Sequence, residues 1–160
     1  MKSTAARKHT YWLMKSEPEE FSIDDLKHKK REMWDGIRNY QVRNMIRDEM
    51  QVGDKALFYH SSTDVIGVVG EMTIATKAYP DPTQFDPKNK HYDPGSKPED
   101  PRWFCIDVTF KKKWPRTVTL AELKQQKSLQ EMPLLKRGNR LSVMPISKTH
   151  YEKIVTLAHQ

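Results

Sequence analysis

After a polar start, the chain enters the apolar run "YWLMKSEP", Tyr11 to Pro18. The run predicts a strand, and Pro18 closes it by removing a backbone donor and fixing the local φ. "FSIDDLKH" follows with Ser22 and Asp25 in capping-box spacing, which predicts a short helix. In "YQVRNMIRDEM", Val42, Met45 and Ile46 share one helical face, Arg43 and Arg47 share another, and Asn39 is the expected cap. "DKALFYHS" (Asp54 to Ser61) and "VIGVVGEMTIATKAYP" (Val65 to Pro80) flank a short polar turn and predict a hairpin. Gly67 and Gly70 interrupt its second strand as a bulge or a close backbone approach would, so a curved sheet is expected.

Residues 79–102 hold six of the ten prolines and no apolar period, so they predict a loop. Its length makes it either a functional lid or a solvent-exposed excursion. Asp81, Asp86 and Asp93 within it lack calcium-loop spacing and are expected to solvate it. "WFCIDVTFKKKW" (Trp103 to Trp114) returns to strand chemistry, and Thr119 with Glu122 starts a helix near Leu120. "NRLSVMPIS" reads as a last strand broken by Pro145, after which Ser147 caps a helix with Tyr151, Ile154, Val155 and Ala158 inward. Strands and helices do not alternate as a parallel sheet requires. The predicted class is α+β: a mixed or antiparallel sheet of about five or six strands, closing into a small barrel with short helices around it.

At 160 residues and 36% hydrophobic, the chain suits one domain with a real core. The expected division is a flexible N-terminal arm over residues 1–10 and a single domain over 11–160. No apolar run is long enough to span a bilayer, and "MKSTAARKHT" lacks the apolar stretch of a signal peptide. A cytoplasmic location is expected, or a nuclear one in a eukaryote, with no membrane partner. Cys105 is the single cysteine, so no internal disulfide forms.

The net charge of +7 is unevenly distributed. Residues 1–101 carry 16 Lys or Arg against 17 Asp or Glu, whereas residues 102–160 carry 12 against 4. If the last third folds onto one face, it attracts phosphate backbones; otherwise it serves solubility alone.

Catalytic signatures are scarce. His9, His28, His60, His91, His150 and His159 lack metal-ligand spacing, and Ser16, Ser61 and His60 have no nucleophile-elbow glycines around them. Cys105 lies within "WFCIDV", where a buried, inert thiol is expected. Neither a GxxxxGK nor a GxGxxG phosphate loop occurs. No cofactor is expected. What remains is a set of rings, Trp34, Tyr40, Tyr59 and Trp103, beside hydrogen-bonding residues at strand ends and turns. Such a mixture suits a flat heteroaromatic ligand, of which a flipped nucleobase is one.

The ordered set "YWLMKSEP", "WDGIRNYQVRN", "LFYHSSTDVIGVVGEM", "AYPDPTQFDP", "YDPGSKPEDPRW" and "NRLSVMPIS" resembles the EVE domain family from about Tyr11 to Ile154. The resemblance implies a PUA-like pseudo-barrel, related to the YTH domains that hold methyladenine in an aromatic cage. It further implies a non-catalytic reader of modified bases in DNA or RNA, modified cytosines foremost. On the matching motifs it puts Lys15, Ser16 and Glu17 at a pocket edge and Trp34 at a cage wall. "RNYQ" adds Arg38, Asn39 and Tyr40; "FYHS" adds Tyr59, His60 and Ser61; "RLSV" adds Arg140, Leu141, Ser142 and Val143; and Trp103 is a second wall.

The residues by themselves leave other readings open. Trp34 alone reads as a half-buried core residue. Tyr59 and His60 alternate along a strand, so one of them faces the core. Arg43 and Arg47 read as a solvated helix face before a phosphate contact. Two other functional classes stand beside the reader. One is an enzyme acting on a modified nucleotide with Glu17 or His60 as acid or base; the other is a small-molecule or protein-interaction module using the same pocket. Any effector is expected to be a separate protein, and the oligomeric state is not legible.

Overall fold

The computed structural model describes residues 10–160. The expected arm therefore lies, apart from Thr10, outside the described residues. Its strands are β1 (Tyr11–Ser16), β2 (Arg31–Trp34), β3 (Lys55–His60), β4 (Gly67–Ile74), β5 (Tyr79–Pro80), β6 (Phe104–Thr119) and β7 (Val143–Pro145). The helices are α1 (Ile23–Lys29), α2 (Tyr40–Asp48), α3 (Leu120–Lys124) and α4 (Lys148–Ala158).

The caps explain where the helices begin. Ser22 and Asp25 exchange hydrogen bonds in a full capping box before α1, and Asn39 accepts from the Val42 amide before α2. Ser147 does the same for His150 at the start of α4. At α3, Thr119 accepts from the Glu122 amide, but the Glu122 carboxylate turns away to Arg116, which it meets at 2.7 Å. Lys30 ends α1 in the left-handed conformation, and the chain then enters β2, a strand that sequence patterning did not reveal.

The seven strands form one mixed sheet in the order β2-β6-β4-β3-β1-β7, with β5 paired to β6. Among the described residues only β1 and β3 run parallel; the other pairings are antiparallel. Alternation along each strand feeds two cores. Trp12 and Met14 of β1, Phe58 of β3 and Val143 of β7 pack with α1 and α2 in the first core. Leu13, Tyr59 and Met144 face the opposite way, into a second core with α3 and α4. α4 contributes Tyr151, Ile154, Leu157 and Ala158, so Leu157 takes the fully buried place expected of Val155.

Strand β6 connects the two cores, because Ile106 and Val108 belong to the first and Trp114 and Val118 to the second. The pairing of β4 with β6 slips between Val68 and Gly70, and again between Glu71 and Met72. Here the predicted glycine effect is visible. A Cβ on Gly67 would sit 2.2 Å from the Val118 carbonyl, so only glycine allows the two backbones to meet. Pro115 falls in the skipped part of the ladder, where a missing amide costs no strand bond.

The second core encloses a buried carboxylate, Glu71, which accepts from Trp114 Nε1 and Tyr151 OH, each at 2.9 Å. Burial and the Glu71 charge push the Tyr151 hydroxyl far up, which keeps it a donor. Asp54 plays a comparable part at the first core, accepting from Trp12 Nε1 at 3.0 Å.

Candidate nucleic-acid interface

A groove of about 880 Å³ opens beside the first core, a size suited to a small flat ligand. Its floor is aromatic. The Trp34 ring meets Phe58 edge-on at 5.4 Å and Phe21 at 6.2 Å, and both Trp34 and Phe21 line the groove. Trp34 is only 7% exposed, so it is at once a core residue and a floor residue.

The "KSEP" turn sets that floor. Ser16 Oγ donates to the Phe21 carbonyl at 2.6 Å, and the Glu17 carbonyl accepts from the amides of Glu20 and Phe21. These bonds seat Phe21 on Trp34 while Lys15, Ser16 and Glu17 form the near rim. Lys15 is joined to the last strand region through its amide, which donates to the Ser142 carbonyl at 2.8 Å, and Ser142 also lines the groove. The Lys15 ammonium lies 5.7 Å from the centre of the Tyr59 ring, and partial burial lowers its pKa.

The far wall comes from the proline-rich loop, through Lys88, Asn89, Lys90 and His91. The loop is held to the fold by two of its carboxylates, Asp81 and Asp93, while Asp86 is exposed as expected. Asp81 is fully buried, contrary to the expectation that it solvates the loop. It accepts from the amides of Gly36 and Thr83, each at 2.8 Å, and from Arg38 Nη1 at 3.1 Å. Burial alone would raise its carboxyl, but bonds from Thr83, Gly36 and Arg38 outweigh that and hold it below the usual range. Asp93 accepts from Trp103 Nε1 at 2.7 Å and from the Gly95 amide. The His91 ring stands against Gly36, whose φ is +81°.

The expected site residues thus divide. Lys15, Ser16, Glu17, Trp34 and Ser142 line one groove. Arg38 stands behind its wall, where every guanidinium N–H is used within the chain: on the His91 and Ile37 carbonyls, Asp81 and Thr83. Asn39 is the α2 cap. Tyr59 is buried in the second core, where burial pushes its hydroxyl up to about 12. His60 accepts from the Ile23 amide at 3.1 Å, which fixes the start of α1, and burial lowers its pKa. The Ser61 amide donates to the Ser16 carbonyl and prolongs the β1–β3 ladder. Trp103 and Tyr40 stack on each other at 4.7 Å, on the outer side of Arg38. Leu141 packs between both cores, and Arg140 is exposed.

Sequence reasoning missed Phe21, Asp35 and the Lys88–His91 wall. The available signal for the wall was the loop's Asn and Asp turn chemistry, with Asn89 capping the His91 amide at 2.8 Å. Asp35 lies at the groove beside Trp34; desolvation and the nearby Asp81 charge raise its carboxyl.

Charge at the rim is mixed. Lys90 meets Glu20 at 2.5 Å across the mouth, and Lys29 meets Glu32 at 2.6 Å. The groove cations come from residues 15–90, not from the basic last third. There Lys113 pairs with Asp24, Arg116 with Glu122 and Lys136 with Glu131. The described residues contain no cluster of His, Cys, Asp or Glu able to hold a metal. Burial pushes the Cys105 thiol up to about 12, as an inert core thiol requires.

The comparisons with known proteins agree on one lineage. Thymocyte nuclear protein 1 of Mus musculus is 44% identical over 166 residues, spanning 92% of this chain and 73% of that protein. A crystal structure of a Pseudomonas syringae protein superposes with a TM-score of 0.89 at 44% identity, over 92% of this chain and 99% of that one. A crystal structure of the human THYN1 protein in complex with 5-methylcytosine-containing DNA superposes with a TM-score of 0.88 at 41% identity, over 94% and 98%. The expected α+β, PUA-like architecture is the one found, with seven strands rather than five or six. The EVE domain pattern matches residues 10–157, and with it the chain belongs to the EVE domain family.

Proposed function

We propose that this chain is a non-catalytic module that binds a modified nucleobase in nucleic acid, with modified DNA as its first partner. The observation that carries this reading is the human relative, 41% identical over 94% of this chain, in complex with DNA containing 5-methylcytosine. The groove geometry supports it. A flat base fits an aromatic floor of Trp34 and Phe21, and the rim offers Lys15, Ser142, Glu17 and Asp35 for its edge. Carboxylate acceptors suit the exocyclic amine of cytosine, which thymine lacks.

The enzyme reading has less support. His60 spends a ring nitrogen on the Ile23 amide. Among the described residues no helix is long and apolar enough to cross a membrane. The compartments that accompany the proposal are the bacterial cytoplasm and the eukaryotic nucleus. A separate effector protein would act on the bound state.

Fluorescence anisotropy tests the proposal, with single- and double-stranded DNA and RNA oligonucleotides that carry one 5-methylcytosine, one methyladenine or no modification. Stacking of a base on an aromatic side chain contributes about 1–3 kcal/mol. Trp34→Phe keeps the core filled and should lose part of the preference for the modified base. Equal binding of all oligonucleotides by the native protein would overturn the proposal, and turnover of the modified base would favour the enzyme.

A further inference from the structure

Outside the groove, the structure holds a column of flat groups that runs from its far wall to the surface. Arg38, bonded to the His91 carbonyl, lies 5.5 Å from the Trp103 ring centre. Trp103 stacks on Tyr40 at 4.7 Å, and the Arg43 guanidinium lies over Tyr40 at 4.8 Å. The inner arginine is saturated. The outer one is not: Arg43 gives Nε and one Nη2 hydrogen to Asn44 Oδ1 and one Nη1 hydrogen to the Arg102 carbonyl. Among the described residues, two of its five N–H donors have no partner, which leaves them for a ligand.

Such an arginine is unusual for a solvated helix face. Three hydrogen bonds and the phenol ring hold its plane, so little rotamer freedom is lost when it binds an anion. Tyr40 is 53% exposed, a large aromatic surface left open beside the cation. Its cationic neighbours are paired, Arg102 with Asp93 at 3.5 Å and Arg47, which lies over the Phe104 ring, with Asp48 at 2.8 Å, whereas Arg43 has no carboxylate partner among the described residues. Only two residues separate Tyr40 from the groove residue Ile37, a span of about 11 Å at most.

We propose that Arg43, held on the Tyr40–Trp103 stack, contacts a phosphate of the strand whose base occupies the groove. The inference rests on the proposed nucleic-acid function and assigns it a backbone contact outside the pocket. The contact positions the strand and reads no sequence.

The test is binding of a single-stranded oligonucleotide with one 5-methylcytosine, and of its unmodified twin, between about 50 and 200 mM salt. The proteins are native, Arg43→Gln and Tyr40→Leu, with thermal unfolding of each. One phosphate contact adds about 0.7 to the slope of log affinity against log salt, or about a 2.6-fold loss over that range. Arg43→Gln should bind both oligonucleotides more weakly at low salt, with the slope reduced by that amount and the modified-to-unmodified ratio unchanged. Tyr40→Leu keeps the charge but frees it, so affinity should fall while the slope stays near native. An Arg43→Gln protein with native affinity and slope would overturn the proposal, as would one that loses only its preference for the modified base. If native protein binds both oligonucleotides equally and Arg43→Gln still lowers the slope, the modified-base reading fails and the phosphate contact stands. If native protein binds neither, both fall.

Discussion

The His91 imidazole occupies the space that a side chain at Gly36 would need: a Cβ there would lie 2.6 Å from Nε2. The groove's far wall and the turn after Trp34 are therefore fitted to each other through a missing side chain. Gly36→Ala forces a left-handed backbone on alanine and pushes the ring outward. We expect a loss of about 1–3 kcal/mol, read as a fall of several degrees in Tm, with weaker binding of a methylated oligonucleotide.

Asp81 should be the strongest single support of the loop. Asp81→Asn leaves the Arg38 guanidinium without its carboxylate and should cost about 3 kcal/mol near neutral pH in urea unfolding. The sign of the pH effect follows from the lowered carboxyl. Its stabilisation is complete above the unfolded value near 3.8 and is lost as pH falls through the lower folded value. The gap between native and variant should therefore close in acid. A gap that widened there would refute the assignment.

Trp34 requires a choice of variant. Trp34→Ala opens a cavity in the first core and should cost about 3–5 kcal/mol, so lost binding would be confounded with lost fold. Trp34→Phe should stay within about 2 kcal/mol of native, and comparison of the two unfolding curves checks this.

His60 predicts a milder dependence. Its ring accepts from the Ile23 amide and is desolvated, so the folded state favours the neutral form and its pKa is lowered. Stability is complete above the unfolded value of 6.5 and declines as pH falls from there toward the folded value. His60→Gln preserves an acceptor and should flatten that decline below pH 6.5. Identical pH profiles would show that His60 does not carry it.

Local signals were legible in the sequence because they are local. Ser22, Asn39, Thr119 and Ser147 announce their helices within four residues, and the hairpin of β3 and β4 announces itself by composition and one short turn. What depends on distant partners was not legible. The four residues of β2 become a strand only because Arg31 pairs with Thr109 and Trp34 with Ile106. Alternation placed Tyr59 and His60 on opposite faces, but not which face was which; the sheet's two cores decide that. The family motifs joined Trp34, Tyr40 and Trp103 in one set. Chain geometry separates them, since Arg38 stands between the groove wall and the Trp103–Tyr40 pair.

The position of β7 matters for how the chain is made as well as for how it stands. Residues 143–145 pair with β1, near the opposite end of the chain, and the parallel β1–β3 ladder lies on β1's other side. During synthesis β1 has an open edge until about 130 further residues have been translated, at about 5–20 residues per second. For several seconds the nascent chain offers unpaired amides and carbonyls beside Trp12, Leu13 and Met14, an adhesive strip that the finished protein no longer shows.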